Sequence, residues 1–482
     1  MRLPADTLFL PCFAQTTGEL TEMVRLLLIT VCVCGTLRND AVAQTAVQRL
    51  LQNYVDPVDD RYSDVADAVV LFQRNNRSAA LQLLQKAAGE HPKLPPAEVL
   101  FAHLCFGSGQ AAAGHAALES ATVRHPQDPE PWIMLADLAM NNGRLAEADV
   151  LFRHGLDRTD GLKQNRRRGK WLQTNAVAGL ARVSENRGLL SESESWYRRW
   201  QELQPENIAV LRALAGVCFR QKKIDDTKEL LIQAQKIDSA QLPPDVVLGL
   251  FWQKTGNSEE AEKSMRSALK AAPDDSTTRL AVAEWAVTCG RTDLAEQNAD
   301  HVLKKDPKSG RARMIRGHVL RFQGRHADAE KIFEQLLKEA PAGFSAGNQL
   351  ALALLAQDGK ERHRRALQYA RVNADRYKDL KTAAGRTAAA TLARGLYLTG
   401  QNDAAAALIQ KAVSTGEVHP QTGYFAAQIF HSVGQTDAAR AVLEKSLASY
   451  IAFPEQKEAA ELLQDIGPAE ESEPSKDAES KP

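Results

Sequence analysis

An all-α fold built from repeated antiparallel helix pairs is predicted by three features of the sequence. These are a helix–turn–helix pattern in residues 242–275, its return every 34 residues, and turn and stop residues at fixed offsets. In the clearest unit, Val247, Leu248, Leu250, Phe251 and Trp252 crowd one short stretch that stops at Gly256 and Asn257. Ala261, Met265, Ala268 and Leu269 then recur at helical spacing up to Pro273. Asn257 with Glu260 reads as a capping box, in which the Asn257 side chain accepts the Glu260 N–H and the Glu260 carboxylate reaches back. Pro273 stops the second helix, because the residue before a proline disfavours helical angles.

With Leu242 as position 1, Leu248 is 7, Gly249 is 8, Trp252 is 11, Gly256 is 15, Ala261 is 20, Met265 is 24, Ala268 is 27 and Pro273 is 32. One unit later these become Val282, Ala283, Ala286, Gly290, Ala295, Ala299, Val302 and Pro307. The next unit has Arg316, Gly317, Leu320, Gly324, Ala329, Phe333, Leu336 and Pro341. One unit back lie Leu214, Ala215, Cys218, Lys222, Thr227, Leu231, Ala234 and Ser239, and before them Leu180, Ala181, Ser184, Gly188, Ser193, Tyr197, Trp200 and Pro205. Continued both ways, the frame holds eleven units between residues 61 and 453. Small residues at 8 and 20 let paired helices approach closely, and larger ones at 7, 11 and 24 fill the space around them. One pair cannot cover its own apolar face, so stacking of neighbours builds the core.

These residues resemble the tetratricopeptide repeat family, whose signature places Trp, Leu-Gly, Tyr, Ala, Phe and Pro at these offsets. The unit at Trp132 carries the signature tryptophan as well, and the resemblance covers roughly four-fifths of the chain. It implies a right-handed superhelical solenoid with a concave side, lined by the first helix of each pair.

Residues 1–43 read as a secretory signal peptide with its true start at Met23: Arg25, an apolar run over 26–34, then Ala41, Val42 and Ala43 before the cleavage point. The run is too short to span a bilayer, which needs about 20 residues. The reading is an exported protein of bacterial type, periplasmic or secreted, or cytoplasmic if the leader is not processed. Residues 44–60 are a lead-in, and 61–453 the solenoid. The frame slips within 160–173, beside Arg166, Arg167, Arg168 and Lys170, and again within 344–385, beside Arg362, Arg364 and Arg365. Both charge runs read as solvated surface, with an anionic contact point as the functional option. A capping helix is expected over 454–466, with Ala459, Leu462, Leu463 and Ile466 on one face, and a disordered acidic tail over 467–482.

Sixty acidic and sixty basic side chains in 482 residues argue against an electrostatic nucleic-acid binder, and with it against an RNA-reading helical-repeat protein. Cys105, Cys218 and Cys289 fall in different repeats and read as small buried hydrophobes, supporting neither a disulfide framework nor a metal site. His103, His318 and His431 lie on first helices of separate repeats. No phosphate loop, zinc-helix or nucleophile-elbow motif occurs, so no enzyme, catalytic residue or cofactor is expected.

The expected site is the groove, where positions near 2, 5, 9 and 12 of each first helix point inward. These are Asn175, Arg182 and Glu185, then Arg212 and Phe219, then Arg311, Met314, His318 and Arg321, then Arg394 and Tyr397, then Tyr424, Gln428 and His431. Arginines among aromatics suit an extended peptide or an acidic tail, since guanidinium groups grip carboxylates and rings give rigid contact area. The Lys/Asn clamp that some family members use on chaperone C-termini is not evident at these positions. The function expected is a protein–protein interaction scaffold in envelope assembly. The alternative is an accessory subunit of a polysaccharide-export or glycan-modifying system.

Overall fold

The computed structural model describes residues 45–56, 58–414 and 418–467, so the expected signal peptide and the tail beyond residue 467 lie outside it. The chain divides between Gln241 and Leu242 into two compact units. In the first, a helical turn over residues 45–51 and a 3-10 turn at Asp60–Tyr62 lead into ten helices. These are α1 (Ser63–Gln73), α2 (Arg77–Glu90), α3 (Ala97–Gly107), α4 (Ala111–Arg124), α5 (Pro129–Asn141), α6 (Leu145–Leu156), α7 (Arg166–Asn186), α8 (Leu190–Leu203), α9 (Ile208–Arg220) and α10 (Ile224–Ile237). The second unit holds α11 (Pro244–Lys254), α12 (Ser258–Ala271), α13 (Ser276–Thr288), α14 (Thr292–Lys305), α15 (Gly310–Phe322), α16 (His326–Glu339), α17 (Phe344–Leu355) and α18 (Lys360–Arg376). It continues with α19 (Ala383–Leu398), α20 (Asn402–Val413), α21 (Pro420–Ser432), α22 (Thr436–Leu447) and α23 (Gln456–Ile466). Each odd-numbered helix up to α21 packs on the even-numbered helix after it, and no strand occurs among the described residues: the fold is an all-α solenoid of helix pairs.

The turn inside each pair explains positions 11, 15 and 16 together. Position 15 adopts a left-handed φ near +60 to +80° in ten turns, occupied by glycine in eight and by Asn75 and Lys222 in the others. The N–H of position 16 then donates back to the carbonyl of position 11, as from Asn257 to Trp252 (3.0 Å), Arg291 to Ala286 (2.8 Å) and Arg325 to Leu320 (2.8 Å). This closure satisfies carbonyls that the end of a helix otherwise leaves unpaired. It also corrects the capping box at Asn257. Its side chain does accept the Glu260 N–H (3.2 Å), but its own N–H is already committed to Trp252, so the Glu260 carboxylate turns instead to Lys263 (3.4 Å).

Position 20 is where the paired helices touch. Ala80, Ala148, Ala261, Ala295, Ala329, Ala405 and Ala439 are all wholly buried (0% exposed). Ser193 and Thr227 take the same place, and their hydroxyls donate to the position-8 carbonyls of Ala181 (3.0 Å) and Ala215 (3.4 Å). A polar side chain is tolerated there because a carbonyl lies opposite it. In the α15–α16 pair the closeness falls at position 8, where a methyl on Gly317 would stand 2.4 Å from the Phe333 ring.

In the two irregular segments Arg166, Arg167, Lys170, Arg362 and Arg364 are exposed, as expected of solvated surface, whereas Arg168 and Arg365 are drawn into the fold. The 160–173 stretch forms a 3-10 turn (Thr159–Gly161) and extends α7 to 21 residues. Arg168 is 3% exposed; its Nε donates to Glu130 (2.9 Å), and Nη1 and Nη2 donate to Asp128 (2.8 and 2.6 Å). Asn165 donates to the carbonyls of Tyr54 and Lys93 (both 2.8 Å), and Tyr54 donates to Glu130 (2.6 Å). The extra residues therefore bind the lead-in segment to α5 and α7. In the second irregular stretch, Arg365 pairs with Glu330 (3.1 Å) and Glu334 of α16, so it is committed within the fold. At the C-terminus, Ala459 (0% exposed) with Leu462, Leu463 and Ile466 sets α23 against a core that includes Ile409, Tyr424, Phe430 and Leu443.

Candidate peptide-binding faces

In the first unit, the positions of α7 and α9 expected to line a groove divide into buried or committed residues and exposed ones. Glu185 accepts from Tyr197 Oη (2.7 Å) and from Arg220 of α9 (2.5 Å). Burial, with Glu185 beside it, holds the Tyr197 hydroxyl well above its usual range. Phe219 is buried in the core, and Asn175 is half-buried. Arg182 is exposed, 3.8 Å from Asp137 of α5, whose carboxyl burial raises while Arg182 pulls it down. Arg212 is exposed on α9. Two guanidinium groups are thus presented on rigid helices.

In the second unit the expected residues converge, and most are already in use. Arg311 on α15 forms a two-pronged pair with Glu284 of α13 (2.5 and 2.7 Å). Met314 packs against the core that holds Leu320, Phe333 and Leu350, and His318 stands edge-on to Phe333 (6.1 Å). Arg394 of α19 donates to Gln428 and lies 5.6, 5.9 and 5.3 Å from the rings of Tyr397, Tyr424 and Phe425. Burial holds its guanidinium below the usual value. Gln428 in turn donates to Tyr424 Oη (2.8 Å), and His431 is exposed at the end of α21.

Arg321 is 2% exposed and donates to Gln349 of α17 (2.6 Å) and to Glu455 (3.2 Å), in the link between α22 and α23. Glu455 also accepts from Gln421 Nε2 (2.6 Å). Gln421 sits at position 2 of its own unit, so the same frame that singled out Tyr424 and Gln428 would have found it. Glu455, Phe453 and His419 belong to no repeat position that signals a site. His419 caps α21, accepting the Gln421 N–H on Nδ1 (3.2 Å). Burial and the Arg321 charge push His419 down to about 4, and burial, Arg321 and His419 push His318 down to about 3.

Two other polar clusters could invite a chemical reading. Glu194, Cys218 and Asp226 offer ligand atoms within 4.8 Å of one another. Glu194, however, already receives Arg198 (2.8 Å), Lys223 (2.5 Å) and Gln221 (2.8 Å), so an added cation would have to displace two others. Burial and the neighbouring Glu194 push the Cys218 thiol up to about 11, which leaves little thiolate at neutral pH. In the other, His103 stands 3.1 Å from Glu130, whose two oxygens are saturated by Tyr54, His103 and Arg168. Burial alone would raise the Glu130 carboxyl, but Arg168 with the His103 and Tyr54 hydrogen bonds holds it below its usual value.

Models of the tetratricopeptide repeat match residues 71–132, 246–275, 283–344 and 316–379. With the 34-residue helix pairs, these matches define the class, an interaction-type helical repeat. The chain carries tetratricopeptide repeats over these residues. No curated protein matches its sequence. Among solved structures it is similar to a tetratricopeptide repeat protein from Parabacteroides merdae, at 16% identity and TM-score 0.32, over 61% of this chain and 98% of the other. It is similar to yeast Tom70 at 13% identity and TM-score 0.37, over 84% and 95% of the two chains. The thermophilic protein TTC0263 of Thermus thermophilus matches at 20% identity and TM-score 0.33, over 40% and 98%. The tetratricopeptide repeats mark a protein–protein interaction scaffold, and among the described residues no helix is long and apolar enough to cross a membrane.

Proposed function

We propose that the chain is a non-enzymatic scaffold acting outside the bacterial cytoplasm in envelope assembly, and that its first unit receives an acidic partner segment on the faces of α7 and α9. The observation that carries this reading is the exposure of Arg182 and Arg212 where neighbouring Glu185 and Phe219 are committed to the fold. Guanidinium groups on rigid helices suit carboxylates, because little side-chain order has to be gained on binding. The basic, apolar and Ala-x-Ala sequence of residues 23–43 supports export. The raised thiols and saturated carboxylates support a binding role without catalysis. The test is capture of partners from an envelope fraction, identified by mass spectrometry. Arg182→Glu with Arg212→Glu is expected to lose at least 10-fold of the captured partner at unchanged helicity, and full retention would refute the assignment. Recovery of a glycan-modifying enzyme as the main partner would favour the accessory-subunit alternative.

A further inference from the structure

We propose that residues 451–455 are a tethered occupant of a recognition site in the second unit, and that the site accepts in their place a partner segment bearing an aromatic side chain followed two residues on by a carboxylate. This rests on the interaction-scaffold reading but not on the Arg182 and Arg212 assignment. The link from α22 to α23 could have been a short turn. Instead it crosses to helices far back in the chain. The Ala452 N–H donates to the carbonyl of Thr288 at the end of α13 (2.8 Å), and the Ala452 methyl lies 3.0 Å from where a side chain on Gly290 would begin. Phe453 is 2% exposed, its ring 6.2 Å from Tyr424. Glu455 bridges Arg321 of α15 (3.2 Å) and Gln421 of α21 (2.6 Å).

Each contact corresponds to a mode of peptide recognition. The Thr288 carbonyl belongs to a helix end with no intrahelical partner, so it accepts a backbone N–H whatever the side chain. Phe453 supplies the apolar anchor, and Arg321 with Gln421 reads the carboxylate. The fit is incomplete. Arg321 offers Glu455 one N–H where a guanidinium can offer two in parallel, and its buried Nε has no partner. A buried guanidinium with an unused donor leaves binding energy for a carboxylate placed better than Glu455. The tethered segment persists because its covalent link keeps it at an effective concentration on the order of mM. A free segment of equal quality therefore binds weakly until the tether is weakened or a partner presents a better fit.

The probe is a fluorescent peptide with the sequence of residues 449–456, read by anisotropy against the full chain. Phe453→Ala with Glu455→Gln is expected to bind it at least 10-fold tighter than the wild type does. Adding Arg321→Gln is expected to remove that gain, as is replacing the glutamate of the peptide with glutamine. A folded double variant, judged by its circular dichroism, that shows no gain would overturn the proposal and leave the segment a fixed part of the core. Hydrogen exchange on the wild type provides a readout that survives misfolding of the variant. With about 1 mM peptide, the Ala452 amide is expected to exchange faster while amides of α21 do not change, and equal exchange with and without peptide also overturns the proposal. Displacement by peptide combined with undiminished partner capture by the Arg182/Arg212 variant would sink the first-unit assignment and leave this one standing.

Discussion

Lys222 holds a left-handed φ of 64° that glycine holds in eight other turns. For a residue with a Cβ that conformation costs roughly 1–2 kcal/mol, partly offset because glycine carries more backbone entropy into the unfolded chain. Lys222→Gly is therefore expected to stabilise the protein by about 0.5–1 kcal/mol, whereas Gly256→Ala destabilises it by about 1 kcal/mol. Urea melts of the two variants check both signs. At this scale the repeat is almost wholly legible in sequence. Spacing alone puts Ala261, Ala295 and Ala329 in equivalent places, and all three are fully buried at the same helix contact. The reciprocal half of the Asn257 capping box was not legible, because its donor is taken by a carbonyl that becomes available only once the turn has closed.

Among the elements, α7 carries the clearest departure from the repeat. Its added first turns place Arg168 against Asp128 and Glu130, where both carboxylates and the guanidinium are out of water. Removing the cation strands two buried negative charges. Arg168→Met is accordingly expected to cost about 3–5 kcal/mol. Chemical denaturation measures the loss, and hydrogen exchange over residues 45–56 is expected to accelerate most, since Asn165 and Tyr54 tie that segment to the same cluster. A cost below about 1 kcal/mol would mean that the cluster does not hold the lead-in. In sequence, three arginines and a lysine within five residues read as a solvated run. Arg166, Arg167 and Lys170 are indeed exposed, but the burial of Arg168 depends on acidic partners some 40 residues earlier in the chain, and no local pattern marks these.

Across the molecule, stability in a helical-repeat array is close to a sum of neighbour contacts, so a local weakness can be read locally. The second unit holds two neutral histidines, His318 and His419, near the Arg321 guanidinium, the His326 ring and the Glu455 carboxylate. Both titrate below their unfolded value, so the unfolded chain takes up protons first as pH falls. Their contribution is complete above about pH 6.5 and is lost progressively as pH falls towards 4 and then 3. Between about pH 7 and pH 5 the loss is up to about 2 kcal/mol for each histidine. His419→Asn keeps a capping acceptor but no titrating ring, and is expected to flatten the pH dependence of Tm over that interval. An unchanged slope in His318→Gln together with His419→Asn would place the acid sensitivity elsewhere. The sequence alone determined the helix pairs, their period and the residues at their contacts, because each pair meets its neighbour through the same short offsets. Only the tertiary structure decided which inward side chains stay open. Some partners lie within the frame, as Gln428 does for Arg394, but Glu455 reaches Arg321 across 134 positions of chain from outside it, and such a contact leaves no repeating trace in the order of residues.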